Sequence, residues 1–227
     1  MNELLWALML ILNFAAILTS YRLWGKTGLY VWVPLAVMIA NIQVTKTIHL
    51  FGLTATLGNI VYATSFLVTD ILSENYGKRD ASRAVGIGFF SLIMMTILMN
   101  LALYFVPDKS DFSQKSLSTI FSIMPRIALG SLTAYGVSQT HDIWAYEFWK
   151  RKFSANKYLW MRNNFSTMVS QLLDTVIFTF IAFWGVFPWG VLVQILITTY
   201  LLKWLVALLD TPFLYIAKRW KMKGLIV

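Results

Sequence analysis

Cysteine is absent from the chain, which removes disulfides, thiolate metal sites and thiol nucleophiles together. Histidine is nearly so. His49 and His141 lie far apart without metal-ligand spacing, so no zinc or haem centre, and no other cofactor, is expected. Charge is scarce as well: 13% of residues are charged, where a soluble domain needs about a quarter to cover its surface. There is no Walker motif, no HExxH, no GxGD and no Ser–His arrangement, so an enzyme is not expected and any use of ATP would have to come from a partner. No ring of like charges or filter sequence points to a channel.

What is present is apolar. Hydrophobic residues make up 58% of the chain and the mean hydropathy is +0.66. A bilayer accommodates such a surface, and runs of about 20 mostly apolar residues, the length a spanning helix needs, recur along the whole sequence. The expected fold is a single all-α membrane domain over 1–227. The net charge of +9 would suggest nucleic acid in a soluble protein; here it reads as topology signals facing anionic lipid, with no nucleic-acid partner.

Seven apolar segments stand out, roughly 4–24, 29–49, 55–75, 84–106, 119–142, 165–186 and 189–217. The first lacks a positive n-region and has only Thr19-Ser20-Tyr21 as a cleavage site, so it is expected to be retained as a helix. Arg22 and Lys26 follow it, Lys78, Arg79 and Arg83 mark the third connection, and Lys150, Arg151, Lys152, Lys157 and Arg162 the fifth. The tail carries Lys218, Arg219, Lys221 and Lys223, while the second and sixth connections have no basic residue. Alternation of this kind predicts about seven helices with the amino terminus outside and the carboxy terminus inside. Pro107, Pro125 and Pro188 sit near segment edges, where a missing N–H costs little. The tetrapeptide LLDT occurs at Leu172 and Leu208, a weak sign of an internal repeat.

Within these segments are polar residues that hydrocarbon penalises. Asp174 is the only charged residue between Asn163 and Leu202, and an Asp at a helix centre costs roughly 2.5–3.5 kcal/mol on insertion scales. Asn163, Thr167, Ser170 and Asp174 follow at spacings of four, three and four, which places them on one helical face. Asn59, Phe66, Asp70 and Glu74 recur similarly in the third segment, with Tyr62 one turn from Phe66. Ser131, Tyr135, Gln139 and Asp142 do so in the fifth, and Thr199, Lys203 and Asp210 in the seventh. The second ends on Asn41, Gln43, Thr45 and Lys46.

Each group has a bland explanation. Amides and hydroxyls glue membrane helices through hydrogen bonds of about 0.6 kcal/mol. Glu74 and Asp142 can meet water or nearby lysines, Arg126 can pair helices, and Asp174 with Lys203 can form a structural ion pair. Ionisable groups on four helices are more than glue requires, however, and a polar cavity with aromatic walls is the default binding site. Carboxylates, amides and aromatics without a dense cationic cluster suit a small, flat, polar heterocycle, since a carboxylate accepts two donors from a guanine-like edge.

The stretches FLVTDILSENYGKR (66–79), RIALGSLTAYGVSQTHDI (126–143) and RNNFSTMVSQLLDTVIFTFIAFWG (162–185) resemble the queuosine precursor transporter family, also called the vitamin uptake transporter family. The likeness runs from about Asn41 to Lys203 and beyond. It implies a six-helix core, here preceded by an additional helix. It also implies uptake of 7-cyano-7-deazaguanine and 7-aminomethyl-7-deazaguanine across the cytoplasmic membrane, by a multi-pass protein whose oligomeric state is left open. The matched positions are Asn41, Asp70, Arg126, Gln139, Asp142, Ser166, Asp174 and Lys203, expected to bind substrate as a group. Glu74 and Asp210 have less support. On this reading Asp174 or Asp70 takes the donor edge of the base, and Gln139 and Asn41 its carbonyl and ring nitrogens. Lys203 keeps a nearby carboxylate charged or exchanges a proton. The alternative is a substrate-capture subunit for another heterocyclic micronutrient, working with a separate ATPase module.

Overall fold

The computed structural model describes the backbone of residues 1–152 and 159–226, and their side chains outside 139–140, 142–143, 145–147, 149–152 and 159–167. Helix dominates it, in the order α1 (Asn2–Gln43), β1 (Thr47–Leu50), β2 (Leu53–Thr56), α2 (Asn59–Tyr76), α3 (Lys78–Ala102), α4 (Gln114–Phe121), α5 (Met124–Lys152), α6 (Leu159–Phe183) and α7 (Trp189–Met222). Asn2–Gln43, Lys78–Ala102, Gln114–Ser138 and Trp189–Met222 are each long and apolar enough to cross a membrane, and Met168–Phe183 is a shorter apolar helix. The chain is an all-α membrane protein, as its composition requires.

α1 contains the first two apolar segments. It breaks at Gly25, whose φ of 56° and ψ of −135° are open to glycine and costly for other residues. The chain doubles back there. A Cβ on Gly28 would lie 2.3 Å from the Ser20 carbonyl oxygen, whereas residues eight apart in one continuous helix are separated by about 12 Å. At the far end, the Asn2 side chain donates to the His49 carbonyl at 2.8 Å. The two arms, 2–24 and 26–43, therefore lie antiparallel, each on the order of 30 Å long.

Residues 47–56 form an antiparallel hairpin in register Leu50↔Leu53 and Thr47↔Thr56, where helix was expected up to 49 and again from 55. Thr47, Ile48, Thr54 and Thr56 are β-branched, and Phe51 and Gly52 both have positive φ, 51° and 79°. That is the pattern of the two-residue turns whose twist suits a hairpin. Leu50 and Ala55 are buried against the core. The fifth segment, expected as one helix over 119–142, is divided between α4 and α5, and Pro125 occupies the first turn of α5, where proline is tolerated.

The chain forms two compact units, Met1–Pro125 with Leu201–Val227, and Arg126–Tyr200. In the first, α2 packs on both α1 and α3. Its Leu67, Val68, Ile71 and Leu72 join a core with Phe14, Ile17 and Tyr21 of α1 and Leu202 and Val206 of α7. Phe14 stacks on Phe213 at 4.4 Å, Arg22 lies over Trp220, and Lys203 lies over Tyr62. The first arm of α1, α2 and α7 thus run in the same direction. Surrounded by protein, α2 can carry more polar residues than a lipid-facing helix.

Candidate functional site

In the first unit, polar residues form rungs between α2 and α7. The Lys203 ammonium, buried with its residue at 6% exposure, lies 5.0 Å from the centroid of the Tyr62 ring. The electron-rich ring face attracts a cation, more strongly where water is excluded. About two turns further along, Asp210 on α7 is buried and within electrostatic reach of Asp70 on α2. At the end of the ladder Lys218 pairs with Glu74 at 2.5 Å. Glu74 thus meets a lysine at a helix end, though its partner is Lys218 and not the neighbouring Lys78 considered from sequence.

Asn41 enters from α1. It is buried, and its side-chain amide donates to the Val37 carbonyl at 2.7 Å. A Cβ on Gly58 would lie 2.2 Å from the Ala40 carbonyl oxygen, so glycine there lets the end of α1 meet the start of α2. Tyr62 packs against the cluster of Ala36, Ala40 and Val61. One face of this tyrosine therefore meets the helix carrying Asn41, and its ring carries Lys203. Asn59 and Thr64 are buried in the same unit.

The second unit holds Asp174 at 5% exposure. Ser170, one turn before it, is also buried, and its hydroxyl lies 3.0 Å from Nδ1 of His141 on α5. Thr175 donates to the Gln171 carbonyl at 2.8 Å, while Gln171 Oε1 is buried without a hydrogen-bond partner among the described residues. The polar face expected along α6 is present at Ser170 and Asp174. Its other members, Asn163 and Thr167, and the expected ligands Gln139, Asp142 and Ser166, lie outside the described side chains.

Arg126, also in the second unit, is held by backbone carbonyls. Its Nε donates to the Ile181 carbonyl at 2.5 Å and its Nη2 to the Trp184 carbonyl. Those oxygens belong to the carboxy-terminal end of α6, where the last carbonyls lack helical partners and a cation is favoured. Gly130 supports the same contact: a Cβ there would lie 3.4 Å from the Phe178 ring. This arrangement matches the helix-pairing alternative for Arg126.

Sequence reasoning placed Tyr62 beside the stripe of the third segment without giving it a partner, and did not single out His141 as part of a polar site. Tyr62 stands eight residues before Asp70 on the striped helix, and His141 two residues after Gln139, so position alone carried a faint signal. Among the described residues no group of three or more His, Cys, Asp or Glu could hold a metal ion. The described groups include carboxylates, a buried cation and aromatic faces, side-chain types that can hydrogen-bond to and stack on a polar planar molecule.

Comparison with known proteins places the chain. Residues 56–217 match the profile of the family described as "Putative vitamin uptake transporter". The chain is 48% identical over 218 residues to the "Probable queuosine precursor transporter" of Bacillus subtilis (strain 168), covering 96% of this chain and 95% of that protein. It is 23% identical over 150 residues to the "Queuosine precursor transporter" of Escherichia coli (strain K12), covering 66% and 65%. No solved structure matches.

Proposed function

The chain belongs to the vitamin uptake transporter family, and from that premise we propose that it imports queuosine precursors, 7-cyano-7-deazaguanine or 7-aminomethyl-7-deazaguanine, across the cytoplasmic membrane. The observation that carries this reading is the near-complete alignment at 48% identity with a relative bearing that name. The chemistry of the buried groups agrees with it. Asp174 and Lys203 are both buried in segments where an ionised group costs several kcal/mol unless a partner, water or a bound substrate offsets it.

In this proposal Asp174 or Asp70 receives the N1–H and exocyclic amine of the deazaguanine, two donors that match a carboxylate's two oxygens. Asn41 and Gln139 serve the carbonyl and ring nitrogens, Asp142 and Ser166 complete the polar lining, and Tyr62 fixes the Lys203 ammonium. Arg126 is assigned to holding α5 and α6 together. The protein acts as a carrier and performs no chemistry on its cargo.

Orientation follows from charge. Arg22, Lys26, Lys218 and Lys221 gather around Glu74, Tyr76, Asp80 and Trp220 at one end of the first unit, opposite the hairpin. With that cationic end in the cytoplasm, the amino terminus lies outside and the carboxy terminus inside, and seven spans satisfy the connections.

The test is rescue of queuosine in transfer RNA. Cells that neither make nor import the precursors receive this gene and low concentrations of either compound. Restored queuosine, lost with Asp174→Asn although the variant reaches the membrane, is the expected result. No rescue by either compound from membrane-inserted protein would overturn the reading.

A further inference from the structure

We propose that the groove between the first turns of α1 and the base of the 47–56 hairpin is a binding site for one anionic phospholipid. The groove has a volume of about 330 Å³, and its lining includes Leu5, Leu8, Met9 and Leu12 of α1, Ile60 of α2 and the exposed Lys46. That volume is at the lower end of the ~300–1,000 Å³ typical of ligand sites. The four α1 residues share one helical face by their spacing. Leu5, Leu8 and Leu12 are each more than half exposed, so the groove opens onto the apolar wall that α1 turns to its surroundings.

Lys46 gives the groove a charge it does not satisfy. Its backbone is fixed, because its N–H donates to the Gln43 carbonyl at 3.0 Å and its carbonyl accepts from Leu57 at 2.9 Å. Among the described residues no carboxylate lies within ion-pair distance of its ammonium. Glu3, the acid at this end of α1, is committed elsewhere: one oxygen accepts from the amino terminus at 3.3 Å and the other from the Phe51 N–H at 3.2 Å. Asn2 is held by the His49 carbonyl. The backbone that carries this exposed lysine is therefore fixed at one end of an apolar groove, and no described carboxylate pairs with it.

An occupant must be apolar along its length and anionic at its tip. The flat, polar heterocycle of the proposed transport site matches neither requirement. A phospholipid matches both, with an acyl chain along Leu5–Leu12 and its phosphate beside Lys46, whose ammonium makes charge-assisted hydrogen bonds to phosphate oxygens. Lys46 lies at the end of α1 opposite Arg22 and Lys26, so this contact is separate from the cationic cluster that sets orientation.

The test measures retained lipid and does not depend on transport. The purified full chain is loaded in detergent with phosphatidylglycerol or phosphatidylcholine, and bound lipid is counted by native mass spectrometry. One phosphatidylglycerol per chain and at least fivefold less phosphatidylcholine are expected. Lys46→Gln should reduce phosphatidylglycerol retention at least fivefold. Leu8→Trp, which fills an already open groove, should do the same with the melting temperature unchanged. Lys109→Gln, a cation on the link between α3 and α4, should retain the lipid. Equal retention of the two lipids, or unchanged retention in Lys46→Gln, would overturn the proposal. So would a mass increment equal to a second copy of the chain in place of lipid.

Discussion

The ammonium of Lys203 lies 5.0 Å from the centre of the Tyr62 ring, joining two helices whose sequences are separated by more than half the chain. A buried cation needs either an anion or an oriented electron-rich surface. This ring makes Lys203 part of a built arrangement in the first unit and gives Tyr62 a role its position alone did not announce.

Truncating the tyrosine should weaken uptake in a graded way. Tyr62→Phe retains the ring face and should keep uptake near wild type. Tyr62→Leu removes it and should raise the substrate concentration for half-maximal uptake about tenfold or more, since a desolvated cation–π contact contributes ~2 kcal/mol. Concentration-dependent uptake at matched membrane levels measures this. Equal behaviour of the two variants would show that the ring does not serve Lys203.

Arg126 should matter for stability and little for affinity. Its guanidinium reaches the Ile181 and Trp184 carbonyls, and hydrogen bonds to charged groups contribute ~1.5–3 kcal/mol each. Arg126→Ala should lower the melting temperature in detergent by several degrees while the remaining folded protein binds 7-cyano-7-deazaguanine with unchanged affinity. Loss of affinity without loss of stability would place Arg126 at the substrate instead.

These residues also show what could be read from sequence. The apolar segments, the basic connections and the face shared by Ser170 and Asp174 follow from periodicity and composition, because hydrocarbon enforces both locally. The hairpin was hidden: Thr47-Ile48-His49-Leu50 extends an apolar helical run, and its strand character depends on the Phe51-Gly52 turn and on packing against the start of α1. Arg126 could be read equally as a ligand or a helix-pairing cation, since its choice depends on carbonyls 55 and 58 residues away. Lys203 was picked out as a costly intramembrane charge, but its aromatic partner lies on a distant helix and no local spacing encodes that pairing.

The link before α4 should respond to acid. The Asp111 carboxylate accepts from the backbone N–H groups of Gln114 and Ser113 at 2.9 and 2.6 Å, and these bonds hold its pKa below the ordinary aspartate value. A group depressed on folding stabilises the fold fully above its unfolded pKa, near 3.9. That contribution fades as pH falls through the lower folded value. Amide exchange of 113–117, corrected for intrinsic rate, should therefore lose protection as pH drops below about 4. Asp111→Ala should show the reduced protection already at neutral pH. A wild-type profile that matched the variant at neutral pH would show that the Asp111 bonds do not protect this segment.

The reversal in α1 makes the sharpest contrast between two glycines. Gly86 on α3 has nothing within 4 Å of where a Cβ would stand, and glycine in a helix interior is about 1 kcal/mol less favourable than alanine. Gly86→Ala should leave stability unchanged or raise it by up to that amount. Gly28→Ala makes the same chemical change against the opposite environment, because its Cβ would lie 2.3 Å from the Ser20 carbonyl oxygen. That neighbour is backbone and cannot swing aside as a side chain could, so the two arms of α1 must separate. Overpacking typically costs ~1–3 kcal/mol, and the separation would also disturb the Phe14 and Tyr21 packing against α7 and α2. Paired melting curves of the two variants should move in opposite directions, or at least differ by several degrees. If Gly28→Ala matched Gly86→Ala, the arms would not meet at Ser20, and residues 2–43 would have to run as one continuous helix.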